Sequence, residues 1–160
     1  MYLEGSCHCD AVKFSVNSQY PYPYNVCYCS ICRKTAGSGG YAINICALFE
    51  TLEITGNEYI QKYSADIPVG QTNETKKSPA QRSFCMKCGS ALWVWDARWP
   101  ELLHPHASAI DTKLPIPPEH THLMLASKAE WVEPNIAPGD QQFDQYPSES
   151  IAAWHKRLKL

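Results

Sequence analysis

A chain of 160 residues with 44% hydrophobic content, including five Trp, nine Tyr and four Phe, has the apolar bulk for one packed core. Its formal net charge is −2, and no basic run exceeds Lys76-Lys77 or Lys156-Arg157. That excludes the concentrated positive charge on which binding to nucleic acid or anionic lipid depends. No segment approaches the ~18 consecutive apolar residues of a membrane helix. The opening residues Met1-Tyr2-Leu3-Glu4-Gly5 carry neither a basic n-region nor an apolar h-region, so one cytoplasmic domain over residues 1–160 is expected. In that compartment eight cysteines serve as metal ligands or redox groups rather than as a disulfide framework.

Val12, Phe14 and Val16 alternate with Lys13 and Ser15, which predicts a strand. Tyr20-Pro21-Tyr22-Pro23-Tyr24 then breaks regular structure. Gly37-Ser38-Gly39-Gly40 reads as a turn into the β-rich run Tyr41–Phe49. Leu52–Thr55 and Tyr59–Tyr63 flank Gly56-Asn57-Glu58 and predict a hairpin. Asp66 to Arg82 is polar and aperiodic, the pattern of a surface loop. Ser83-Phe84 and Ala91–Trp95 predict two short strands joined by a turn that carries cysteines. The prolines between Pro100 and His122 leave room only for short strands such as His106–Ile110. Ser148 is placed to cap a terminal helix in which Ile151, Trp154 and Leu158 share one face. Trp93, Trp95, Trp99 and Trp131 are expected in the core. The class is mainly β with a short C-terminal helix.

Seven of the eight cysteines fall into three tight groups: Cys7-His8-Cys9, Cys27-Tyr28-Cys29-Ser30-Ile31-Cys32 and Cys85-Met86-Lys87-Cys88. Residues i and i+2 of a strand project to one face, so Cys7 and Cys9 can converge. A Cys-x-x-Cys turn folds its sulfurs together, and Gly89 permits the left-handed backbone that closes it. Zinc takes four such ligands tetrahedrally, often as knuckles from distant parts of a chain. Pairing Cys7 and Cys9 with Cys85 and Cys88 makes a closed site that contributes folding energy, on the order of 10 kcal/mol in zinc-finger peptides. Cys27, Cys29 and Cys32 then form a trio with an exchangeable fourth position, the pattern of a catalytic zinc. Spacing leaves two other arrangements open: Cys46 closing the trio, or Cys29 and Cys32 joining Cys85 and Cys88 as a zinc ribbon.

The string Gly5-Ser6-Cys7-His8-Cys9, the segment Cys27-x-Cys29-Ser30-x-Cys32-Arg33-Lys34 and the run Ser83-Phe84-Cys85-x-x-Cys88-Gly89-Ser90-x-Leu92 occur in this order. They resemble the glutathione-dependent formaldehyde-activating enzyme family, also called the centromere-protein-V-like family, over most of the chain. The resemblance implies an Mss4-like tent of small antiparallel sheets around a structural zinc. It also implies the division into Cys7, Cys9, Cys85 and Cys88 as structural ligands and Cys27, Cys29 and Cys32 as the open zinc. A zinc-dependent carbon–sulfur lyase acting on a glutathione adduct or related thiol is then expected. The alternative is a non-enzymatic binding module or a carrier of the adduct. A small-molecule thiol, not nucleic acid or membrane, is the expected partner, and a homodimer is compatible with the sequence. Tyr28 departs from the family, which usually has His between the first two cysteines of that segment.

A soft, borderline metal accepts a further thiolate readily, which agrees with a thiol substrate. His104 and His106 precede or begin a possible strand and are read as hydrogen-bonded or surface groups, with a contact to the open metal as the sharper alternative. Arg82, Arg33 and Lys34 flank the cysteine groups; solvation is the bland reading, contact with a substrate carboxylate the functional one. Gly37–Gly40 is a turn that would also let a ligand approach the backbone. His8, His120, His122 and His155 carry no motif.

Overall fold

The computed structural model describes residues 1–160. The chain runs β1 (Tyr2–Ser6), β2 (Lys13–Asn17), β3 (Tyr24–Cys27), α1 (Ser30–Ala36), β4 (Ala42–Asn44), β5 (Ala47–Leu48), β6 (Glu53–Thr55) and β7 (Ile60–Tyr63). It continues through β8 (Asp66–Pro68), β9 (Thr75–Lys77), β10 (Ala80–Cys85), β11 (Ala91–Asp96), β12 (Leu102–Pro105), β13 (His120–Leu123), β14 (Gln141–Gln142) and α2 (Ile151–Arg157). The fold is mainly β, with small sheets and a short C-terminal helix. No helix is long and apolar enough to cross a membrane.

Three sheets position the cysteines. The first has strand order β1-β2-β6, the second β5-β12-β11-β10-β7, and the third β14-β13-β3-β4. Alternation on β1 and β2 turns Leu3, Phe14 and Val16 inward, where they meet Leu92, Trp93 and Leu103 of the second sheet. Phe14 packs edge-on to Trp93 with ring centroids 5.0 Å apart, a pairing worth about 0.5–1.5 kcal/mol beyond its buried area. Cys7 and Cys85 belong to this same core. Cys27 and Cys32 instead pack with Ala42 and Leu123 in a separate cluster under the third sheet.

Several sequence expectations change. The third sheet is mixed, because β13 runs parallel to both β3 and β14. Leu52–Thr55 and Tyr59–Tyr63 are not hairpin partners: β6 pairs with β2, and β7 pairs with β10. Asp66–Arg82 holds the β8–β9 pair and the start of β10. His106–Ile110 is not a strand; β12 ends at Pro105 and a 3-10 turn follows at Ala107–Ala109. α1 was hidden because seven residues show no apolar period, and its N-cap is Cys29, which accepts from the Cys32 N–H. The α2 cap is Ser150 rather than Ser148, because only Ser150 reaches the Ala153 N–H, at 3.1 Å. Trp93 is buried, but Trp99 and Trp131 are 44% and 64% exposed, so only part of the tryptophan set is core.

Candidate functional site

The structure gathers the cysteines into two groups. The sulfurs of Cys7, Cys9, Cys85 and Cys88 lie within 4.8 Å of one another, and those of Cys27, Cys29 and Cys32 do likewise. No disulfide joins any of them. Cys46 belongs to neither group, and Cys29 and Cys32 do not meet Cys85 and Cys88, so neither alternative arrangement has a geometric basis. Burial pushes the Cys46 thiol up to about 11, the state of an inert buried thiol.

The group of four is built by two turns. Cys7 and Cys9 do not lie on a strand, since β1 ends at Ser6. Asp10 takes a left-handed conformation, φ 57°, and its N–H donates to the Cys7 carbonyl. That turn brings the Val12 N–H onto Cys7 Sγ at 3.2 Å. On the facing side Gly89, φ 75°, closes a turn in which its N–H donates to the Cys85 carbonyl at 2.8 Å. Cys7 and Cys9 sulfurs are 3.6 Å apart, Cys9 and Cys85 sulfurs 3.9 Å. A disulfide needs ~2.05 Å, whereas tetrahedral zinc with ~2.3 Å bonds spaces its sulfurs by ~3.8 Å. The donor set and its spacing fit zinc. Cys7 and Cys85 are buried and Cys9 and Cys88 exposed, so the group ties a sheet edge to the core.

The trio is built on different elements. Cys27 ends β3, Cys29 caps α1 and Cys32 lies in its first turn. The Cys32 N–H points at Cys29 Sγ, 3.3 Å away. Cys29 is the sulfur that ionises most readily. Hydrogen bonds from Cys27 and Cys32, together with the Cys32 and Ile31 N–H groups, outweigh burial and hold its thiol far below the ordinary range. Cys27 shifts upward, chiefly through its hydrogen bonds to Cys29 and Cys32 and then through burial. Three thiols with one ready to ionise suit a soft or borderline metal.

Arg82, on β10, reaches Cys32 Sγ with Nη2 at 4.0 Å. Its Nε and Nη1 are buried and have no hydrogen-bond partner within the protein; the same is true of His106 Nδ1 and Asn44 Oδ1. Arg82 is therefore not the solvated cation that a lone arginine usually is. His104 fits the hydrogen-bonded reading, with Nδ1 3.2 Å from the Ile45 carbonyl oxygen. His106 does not, since it is 2% exposed and its Nδ1 is unpaired. Burial first, then the nearby Arg82 and His104, push its imidazole down to about 4.

A buried polar group is anchored on Tyr28, between the first two cysteines of the trio. Tyr28, 1% exposed, stacks on His122 with centroids 5.8 Å apart, and its Oη lies 3.0 Å from His122 Nδ1. His122 Nε2 is 3.1 Å from Asp140 Oδ2, and His120 donates its backbone N–H to Asp140 Oδ1 at 2.7 Å. A carboxylate only accepts, so Nε2 carries a proton, and Nδ1 shares its hydrogen bond with the Tyr28 hydroxyl. The alternating His120-x-His122 was the available signal, but nothing in it points to Asp140, which is far along the chain.

Arg33, Lys34 and Gly37 line a cleft of about 610 Å³, together with Cys7, His8 and Ser90. This cleft borders the group of four rather than the trio. Gly37–Gly40 is a turn, as expected, with Gly40 packed against Val132.

The model of the family described as glutathione-dependent formaldehyde-activating enzyme matches residues 2–126. A Halomonas elongata protein named "Putative glutathione-dependent formaldehyde-activating enzyme" is 58% identical over 160 residues, covering 100% of this chain and 98% of that one. The crystal structure of a Rhodobacter sphaeroides protein superposes with a TM-score of 0.53 at 25% identity, covering 70% of this chain and 91% of the other. With its three cysteine segments all inside the matched region, the chain belongs to the glutathione-dependent formaldehyde-activating enzyme family.

Proposed function

We propose that this chain is a carbon–sulfur lyase of the S-(hydroxymethyl)glutathione synthase type, working at a zinc held by Cys27, Cys29 and Cys32. In this reading Cys7, Cys9, Cys85 and Cys88 hold a structural zinc, and the whole of 1–160 is one Mss4-like tent acting in the cytoplasm. The observation that carries it is the trio itself: three convergent sulfurs with no fourth cysteine in reach, beside a cation that touches one of them. When bound there, zinc would act as a Lewis acid and keep an added thiol ionised.

The chain's own residues supply the rest. Cys29 is set at the cap of α1 by the Cys32 N–H, and Tyr28, His122 and Asp140 fix the peptide between Cys27 and Cys29. Arg33 and Lys34 follow Cys32 on α1 and offer positive charge to a tripeptide with two carboxylates.

The test is metal content followed by a thiol titration. Two metals per chain are expected, and fewer than one overturns the proposal. With cobalt in the trio, glutathione should shift the visible spectrum saturably, and formaldehyde–glutathione exchange followed by NMR should accelerate. A glutathione shift without acceleration would favour a carrier of the adduct. No shift at all would end the thiol-site reading.

A further inference from the structure

The unpaired polar atoms beside Cys32 form one group on one sheet face. Arg82 pairs with Val94 across β10–β11, and Val94 pairs with His104 across β11–β12, so Arg82 and His104 project from the same face. His106 is two residues beyond His104 and faces the same way, and Asn44 is bridged to His106. Four buried polar atoms there lack partners: Nε and Nη1 of Arg82, Nδ1 of His106 and Oδ1 of Asn44. Leaving such an atom unpaired is costly, more so when it is charged. Clustering of that cost beside reactive sulfurs is the signature of a site whose partners arrive with a ligand.

We infer that Arg82, with His106 and Asn44 around it, receives the carbonyl oxygen of a small aldehyde that adds to the thiol held at the trio. This rests on the thiol-site reading above and names the aldehyde side of it. One feature favours an aldehyde oxygen over a glutathione carboxylate. Arg82 touches the Cys32 sulfur, so it reaches atoms one or two bonds from a sulfur in the trio, whereas the carboxylates of a tripeptide thiol are many bonds away.

The chemistry balances with water as the only further reactant. The thiolate lone pair forms the carbon–sulfur bond as the carbonyl π pair moves onto oxygen. The N–H groups of Arg82 meet that charge. The alkoxide then takes a proton from water, leaving the hydroxymethyl thioether and hydroxide. Donors aimed at developing negative charge in a desolvated site are worth roughly 10²–10³ in rate.

Formate, a one-carbon anion with a carbonyl oxygen, is a direct probe. On metal-loaded protein, ¹³C-formate should bind saturably at one site per chain, and Arg82→Gln should weaken it at least tenfold. The same variant should lower kcat/KM for formaldehyde by at least tenfold while the glutathione-induced cobalt spectrum keeps its midpoint. Arg82→Lys keeps the charge and should recover part of the formate binding, which guards against a misfolded Gln variant. Formate binding unchanged in Arg82→Gln, or a glutathione midpoint weakened as much as formate, would overturn the inference. A wild type that binds formate through Arg82 yet gives no cobalt shift with glutathione would instead sink the thiol-site reading.

Discussion

Asp140 is the most constrained acid in the molecule. Burial opposes its ionisation, but the N–H groups of His120 and Ala137 and the imidazoles of His122 and His120 prevail and hold it at about 2. Its folded value is depressed below the ordinary ~3.9 of an unfolded Asp. The stability it contributes is therefore complete above about pH 4 and is lost as pH falls towards 2. Asp140→Asn should cost about 2 kcal/mol at pH 7, and its deficit against wild type in urea titrations should shrink between pH 4 and 2. A deficit that stays constant over that range would mean that Asp140 matters by shape and not by charge. Tyr28→Phe should cost about 1–2 kcal/mol by leaving His122 Nδ1 unpaired in a buried site, with metal content unchanged. These residues were opaque in the sequence. Tyr28, His122 and Asp140 are brought together by the parallel pairing of β13 with β3 and β14, and no local period announces parallel partners.

At the scale of elements, the segments Leu52–Thr55 and Tyr59–Tyr63 are instructive. Both contain the strands that their composition suggests, yet the turn between them does not fold them together. Gly56, at φ 81°, instead sends the chain from the first sheet to the second. A Cβ there would lie 1.8 Å from the Ala11 carbonyl oxygen, a backbone atom that cannot step aside. Gly56→Ala is expected to lower the urea midpoint by the equivalent of more than about 2 kcal/mol, combining that clash with the strain of a left-handed Ala. A loss below about 0.5 kcal/mol would show that the Cys9–Val12 turn can move. α1 shows the opposite lesson. Its seven residues lie below the length at which a helix stands alone, and it forms where Cys29 caps it and Cys32 packs with Leu123.

For the whole molecule, the two cysteine groups stand in different cores, and the proposed division of roles predicts different responses to their loss. Cys7 and Cys85 are inside the main cluster between the first and second sheets, whereas Cys27 and Cys32 sit in a small cluster under the third. Cys7→Ser or Cys85→Ser should abolish a cooperative unfolding transition, while Cys29→Ser should leave a folded protein with one metal fewer. A chelator added gradually should remove the metal of the trio first with little change in circular dichroism; equal unfolding by all three variants would contradict this division. The mainly β class, the terminal helix, the family and the seven cysteines were legible in the sequence alone, because period, composition and short-range spacing are local properties. Which sulfurs converge, which strands pair, and what surrounds Arg82 are decided only by the tertiary structure. Sequence order carries no register between distant strands, so the three-cysteine segment was visible before folding, but its partners and neighbours were not.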